Sequence, residues 1–120
     1  PLQQGGVLAL GLPDGFYAGL AEHYGARYRR LAGLLEGAGL GSFPVQGAYY
    51  LMTDITSRTR MDDLSYCRHL VEKVGVAAVP GSSFFHHREL GRHLIRFCFC
   101  KKYETLDLAG LLLQRESRGV

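Results

Sequence analysis

At 120 residues, with 47% hydrophobic and 21% charged side chains, the chain has material for one domain with one core and too little charge for disorder. Its net charge of +3, from 11 Arg and 3 Lys against 11 acids, is too mild to imply a nucleic-acid partner. Three cysteines with no CxxC pair and no signal-peptide pattern argue against an oxidised secreted scaffold, and no apolar run nears the ~18 residues that span a bilayer.

Residues 1–12 are Gly-broken and weakly patterned and read as a tail. The opening at Pro1 rather than Met suggests a processed, cloned or truncated piece. Asp14, after Pro13, fits an N-cap. Tyr17, Leu20, Tyr24, Tyr28, Leu31, Leu35 and Ala38 then recur at spacings of three and four. That pattern predicts an amphipathic helix with Glu22, Arg29 and Arg30 on its wet side, closed by Gly39. Ala48–Asp54 reads as a strand apolar on both faces. Asp62 and Asp63 open a second helix, with Leu64, Cys67, Val71 and Val74 on one side and Gly75 as its end. Val76–Val79 is a short buried strand that stops at Pro80-Gly81, and a loop runs on to about residue 92. His93–Cys100, rich in aromatic and β-branched residues, is the clearest strand. Leu106, Ala109, Leu112 and Leu113 mark a last helix, with Arg115 and Arg118 near its C-terminal end. Long helices on one face of a small mixed or antiparallel sheet satisfy this order, which is an α+β two-layer sandwich.

Arg96 is the first candidate for chemistry. Strand alternation puts it on one face with Leu94, Cys98 and Cys100, opposite His93, Ile95, Phe97 and Phe99. An Arg in a strand apolar on both sides is costly unless an anion meets it, and its planar donor fork matches a carboxylate. A structural salt bridge or a snorkelling edge-strand Arg is the competing explanation. Pro80–Phe84 carries the Gly and Ser of an anion cradle but lacks P-loop spacing, so an ordinary tight turn is the better fit. His86, His87, His93, Cys98 and Cys100 lack metal-ligand spacing, and no metal is expected. Tyr49 and Tyr50 face opposite ways, so at least one packs in the core. Arg27, Arg29 and Arg30 read as a solvated face.

Three blocks, GAYYLMTDIT (47–56), GVAAVPGSSFF (75–85) and LIRFCFCKKYETLD (94–107), stand in an order and spacing that is familiar. Together they resemble the C-terminal small domain of class I, fold type I, pyridoxal-phosphate-dependent aminotransferases, nearest the kynurenine, glutamine and methionine transaminase group. The helix carrying Tyr24, Arg27, Arg29, Arg30 and Leu34 is similar to a Tyr/Arg/Leu run of that family, and PLQQ (1–4) to its Pro-x-Gln run after the catalytic-lysine segment. The likeness divides the chain into a tail, residues 1–12, from the end of a truncated helix region, and an aminotransferase-like small domain, 13–120. It implies that Arg96 clamps the substrate α-carboxylate. It places Gly47, Tyr49 and Tyr50 near the substrate entrance, and Ser82, Ser83 and Phe84 in a turn that moves with the small domain.

The same likeness implies pyridoxal phosphate in a parent protein and no cofactor in this chain. Lys73, Lys101 and Lys102 lack the sequence context of a Schiff-base lysine, so no catalytic, cofactor-binding or metal-binding residue is assigned here. The expected protein is a cytoplasmic, dimeric aminotransferase that moves an amino group between an L-amino acid and a 2-oxo acid. Its expected partners are a missing large domain, a second subunit and these substrates, with neither nucleic acid nor membrane. This chain would supply the carboxylate arginine and the closing domain and be inactive alone. The alternative is a free-standing α+β module that binds amino acids or other carboxylates.

Overall fold

The computed structural model describes residues 1–118, with the backbone alone for Arg118, so the expected place of the Arg118 side chain lies outside the described residues. Along the chain run α1 (Leu2–Leu10), α2 (Asp14–Gly37), β1 (Gly41–Ser42), β2 (Tyr50–Asp54), α3 (Asp63–His69), β3 (Val79–Pro80), β4 (Leu94–Cys98) and α4 (Tyr103–Arg118). The strands form one antiparallel sheet in the order β1-β2-β4-β3. Leu51, Ile95, Phe97 and Phe99 enter a core closed by Leu31 and Leu35 of α2, Tyr66 and Cys67 of α3, and Leu106 and Leu113 of α4. The α+β architecture expected from the sequence is therefore the one observed.

Local chemistry explains most element boundaries. Pro13, with no side-chain cap, precedes α2, and Asp14 is its first helical residue rather than its N-cap. There its charge complements the helix dipole. Gly39 (φ 76°) and Gly75 (φ 83°) follow helical segments in the left-handed conformation that Gly adopts without steric cost. Ala48 also takes positive φ (63°), so the strand expected from Ala48 begins only at Tyr50.

Residues 2–10 are helical, although no residue of α1 is buried and Leu2, Leu8 and Leu10 are strongly exposed. The expected face of α3 needs correction. In α3 the buried side is Asp63, Tyr66 and Cys67, continued by Leu70, whereas Leu64 and Val71 are more than half exposed. Both sets have helical spacing. Tyr66 decides between them, because burying its large ring removes more apolar surface from water than burying either aliphatic side chain. After His69 the helix widens into a π-helical turn, Leu70–Val74, before Gly75 ends it. The expected strand at Val76–Val79 contracts to Val79–Pro80.

Asp62 caps α3, its carboxylate accepting the Ser65 backbone N–H at 2.8 Å. Hydrogen bonding by the Ser65 hydroxyl and backbone N–H holds this carboxyl below the usual range. Its contribution to stability is thus full above the unfolded value of about 4 and is lost as pH falls through the lower folded value. Asn at this position keeps an N-cap acceptor without the titration. Thermal melts from pH 5 to pH 2 will therefore fall less steeply for Asp62→Asn than for the wild type.

Candidate functional site

The register of the sheet places Arg96 between Met52 of β2 and Val79 of β3. Alternation sends Ile95 and Phe97 into the core and turns Arg96 to the other face, half-buried. Tyr50, paired with Cys98, is its diagonal neighbour on that face. The Arg96 guanidinium carbon lies 4.5 Å from the Tyr50 ring centroid and 4.0 Å from that of Phe84. Each such cation–π contact contributes about 0.5–2 kcal/mol, depending on desolvation.

Aromatic rings hold a guanidinium without consuming its in-plane N–H groups. Arg96 Nε is buried and has no hydrogen-bond partner, and no carboxylate pairs with this side chain among the described residues. A buried donor left in this state costs about 1–3 kcal/mol. Among the described residues the terminal N–H groups carry no protein carboxylate, and a carboxylate brought to that edge of the guanidinium would accept two parallel hydrogen bonds. The arrangement is therefore suited to receiving a planar anion.

Phe84 reaches Arg96 from a 3-10 turn, Gly81–Phe84, which packs on a second one, Arg88–Gly91. Gly81 and Gly91 meet backbone to backbone. A Cβ on Gly81 would lie 2.4 Å from the Leu94 carbonyl oxygen and 2.7 Å from that of Gly91. Asp63, 2% exposed, accepts the Ser82 backbone N–H on Oδ2 at 2.7 Å, and its own N–H donates to the Arg92 carbonyl at 2.9 Å. Asp63 thus fixes both ends of the segment that presents Phe84, one through its carboxylate and the other through its backbone N–H.

The structure gathers only part of the residue set expected from the sequence. Tyr50 and Phe84 converge on Arg96. Tyr49 is half-exposed and packs edge-on against Tyr50, with centroids 5.7 Å apart. Ser82 contributes its backbone N–H to Asp63, which spends a donor that an anion cradle would need, and Ser83 is exposed. Gly47 instead borders an apolar groove of about 410 Å³ beside Tyr17, Tyr24 and Tyr28.

Other candidates have local explanations. Among the described residues, no three His, Cys, Asp or Glu side chains come together to hold a metal, and His86 and His87 pack edge-on at 5.0 Å. Burial, and then the charge of Asp63, pushes the Cys67 thiol up to about 12, so no thiolate nucleophile forms there at neutral pH. The Arg27–Arg30 cluster is less free than a solvated face would be. Arg27 donates to the Lys101 carbonyl at 3.0 Å, and Arg30 grips Asp107 of α4 through two hydrogen bonds of 2.7 and 2.9 Å. Arg58, which the sequence did not single out, is buried and donates to the carbonyls of Ala38 and Leu113 and to Glu116, joining the end of α2 to α4.

Residues 4–109 match the family model described as aminotransferase class I and II. A probable N-succinyldiaminopimelate aminotransferase, DapC, of Mycobacterium tuberculosis is 37% identical over 117 residues, covering 91% of this chain and 30% of the relative. The methionine aminotransferase of Escherichia coli is 35% identical over 103 residues, covering 82% of this chain and 25% of that protein. In three dimensions the N-succinyldiaminopimelate aminotransferase from Mycobacterium tuberculosis superposes with a TM-score of 0.85 at 38% identity, over 94% of this chain and 29% of that one. YbdL from Escherichia coli, identified as having a methionine aminotransferase function, gives a TM-score of 0.77 at 33% identity, over 82% and 26%. The chain spans no more than about a third of the length of the curated relatives it matches.

The contact between Gly81 and Gly91 has a direct test. Gly81→Ala must displace backbone rather than a flexible side chain, and will destabilise the fold by about 2 kcal/mol or more in urea denaturation. Gly5→Ala, at a position open to solvent in α1, will leave the denaturation midpoint nearly unchanged.

Proposed function

Because this chain belongs to the aminotransferase class I and II family, we propose that it serves as the C-terminal small domain of a pyridoxal-phosphate-dependent amino-acid aminotransferase. The parent protein moves an amino group between an L-amino acid and a 2-oxo acid. Arg96 receives the α-carboxylate, and the observation that carries this role is a half-buried guanidinium held by the rings of Tyr50 and Phe84 with no ion pair among the described residues. Both kinds of substrate carry a carboxylate on the reacting carbon, so one fixed arginine serves both directions of the reaction. Binding energy gained at that end orients the reacting carbon and favours closure of the domain over it.

Pyridoxal phosphate requires an enclosed lysine to hold its aldehyde and a set of donors for its phosphate. Lys73, Lys101 and Lys102 are all exposed, so the lysines of this chain do not fit the cofactor. We assign that pocket to the remainder of the parent and route no step through this chain's lysines. Docking against that remainder and a second subunit is supported by the apolar surface of α1 and the start of α2, where Leu2, Leu8, Leu10 and Phe16 are exposed. Burying such a surface is favourable and leaving it open is unusual. The three cysteines are free thiols, in keeping with a reducing cytoplasm, and no described helix is long and apolar enough to cross a membrane.

Supplied with pyridoxal phosphate, an L-amino acid and a 2-oxo acid, the purified 120-residue chain will give no transamination and no Schiff-base absorbance above those of the same mixture without protein. Turnover by the chain alone would overturn the division of labour proposed here.

A further inference from the structure

The contacts of Arg96 carry one step more. We propose that Phe84, together with Tyr50, is a positioning residue: the two rings fix the Arg96 guanidinium so that its N–H edge meets the incoming carboxylate already aligned. The proposal rests on the carboxylate role of Arg96 given above and adds to it the residues that act through that side chain.

A free Arg side chain carries about 2 kcal/mol of rotamer entropy, part of which is lost each time it docks an anion. Fixing the guanidinium in advance removes part of that loss from the binding step. A carboxylate of the protein could do the same, but only by occupying the donors that the ligand needs. Rings hold the cation through its face and leave those donors free. The observed geometry matches this solution, with ring centroids 4.0 and 4.5 Å from the guanidinium carbon, Nε buried, and no ion pair to Arg96 among the described residues.

The two rings are supported differently. Tyr50 is set by the register of β2 on β4, which cannot slip without turning Leu51 out of the core. Phe84 is 46% exposed and is placed by its turn rather than by burial. That turn is fixed by the Gly81–Gly91 approach and by Asp63, whose buried carboxylate takes the Ser82 N–H. Phe84 can therefore be changed with little effect on the core, which makes it the informative position.

The test uses the whole chain, labelled with ¹⁵N-arginine, with pyruvate as the carboxylate probe. In the wild type the Arg96 Nε–H resonance will be displaced by the ring currents and will respond to pyruvate. Phe84→Leu will move that resonance toward the free-arginine position and weaken pyruvate binding about fivefold. Phe84→Tyr, which restores a ring, will restore both. Unchanged pyruvate affinity in Phe84→Leu, with or without a change in the resonance, would overturn the positioning role. Equal affinity for pyruvate in wild type and Arg96→Lys would overturn the carboxylate role itself. That second failure is recognised separately, because the ring-current shift in the wild type persists through it.

Discussion

The pairing of β4 between β2 and β3 is the constraint on which the rest of the structure depends. A five-residue central strand with Ile95 and Phe97 in the core has one register that keeps both buried, and that register leaves Arg96 on the opposite face. The helices α2, α3 and α4 cover the core face. Arg96 is consequently committed to a surface where its partners come from strands and a turn. It finds two aromatic rings there and no protein carboxylate among the described residues.

A guanidinium held on this face without an ion pair opposes folding, and several further costly local choices surround it. Asp63 is a nearly fully buried carboxylate, compensated by the Ser82 N–H and by its place in the first turn of α3. Gly81 and Gly91 give up side chains so that two backbones can touch. Ala48 adopts a left-handed conformation that costs about 1 kcal/mol and turns the chain into β2, two residues before Tyr50. These features lie in three separate segments and converge on the surroundings of one guanidinium. Under the proposed function, the substrate carboxylate is the use for such a group.

Much of this was legible in the sequence. The spacing from Tyr17 to Ala38 specifies the long helix, and alternation along His93–Cys100 separates Arg96 from Ile95 and Phe97. Arg96 stands out because charge is expensive in such a strand; Tyr50 and the Pro80–Phe84 turn are visible from pattern, and the family resemblance adds their substrate-entrance and closure roles. The meeting of Tyr50 and Phe84 was not legible, because 34 residues separate them in sequence and only tertiary packing brings both rings to one side chain. Asp63 was hidden by its neighbour: two adjacent acids at a helix start look alike, yet Asp62 caps from the surface while Asp63 is buried. Arg58 lies in a loop of Ser, Thr and Arg that looks solvated, and its burial depends on the Ala38 carbonyl at the end of α2 meeting the Leu113 carbonyl within α4. In α3, two apolar stripes of equal periodicity competed, and periodicity alone does not choose between them.

The decisive measurement is kinetic, made on the longer polypeptide that is proposed to carry this chain. Arg96→Lys keeps the charge and removes the planar fork. If Arg96 receives the substrate carboxylate, kcat/KM for the L-amino acid and for the 2-oxo acid will both fall by about 100-fold, the equivalent of one bidentate charged contact. The slow reaction of a simple amine that lacks the carboxylate will be nearly unchanged. A variant as efficient as the wild type on both carboxylate substrates, or one equally impaired with the amine, would contradict the role proposed for Arg96.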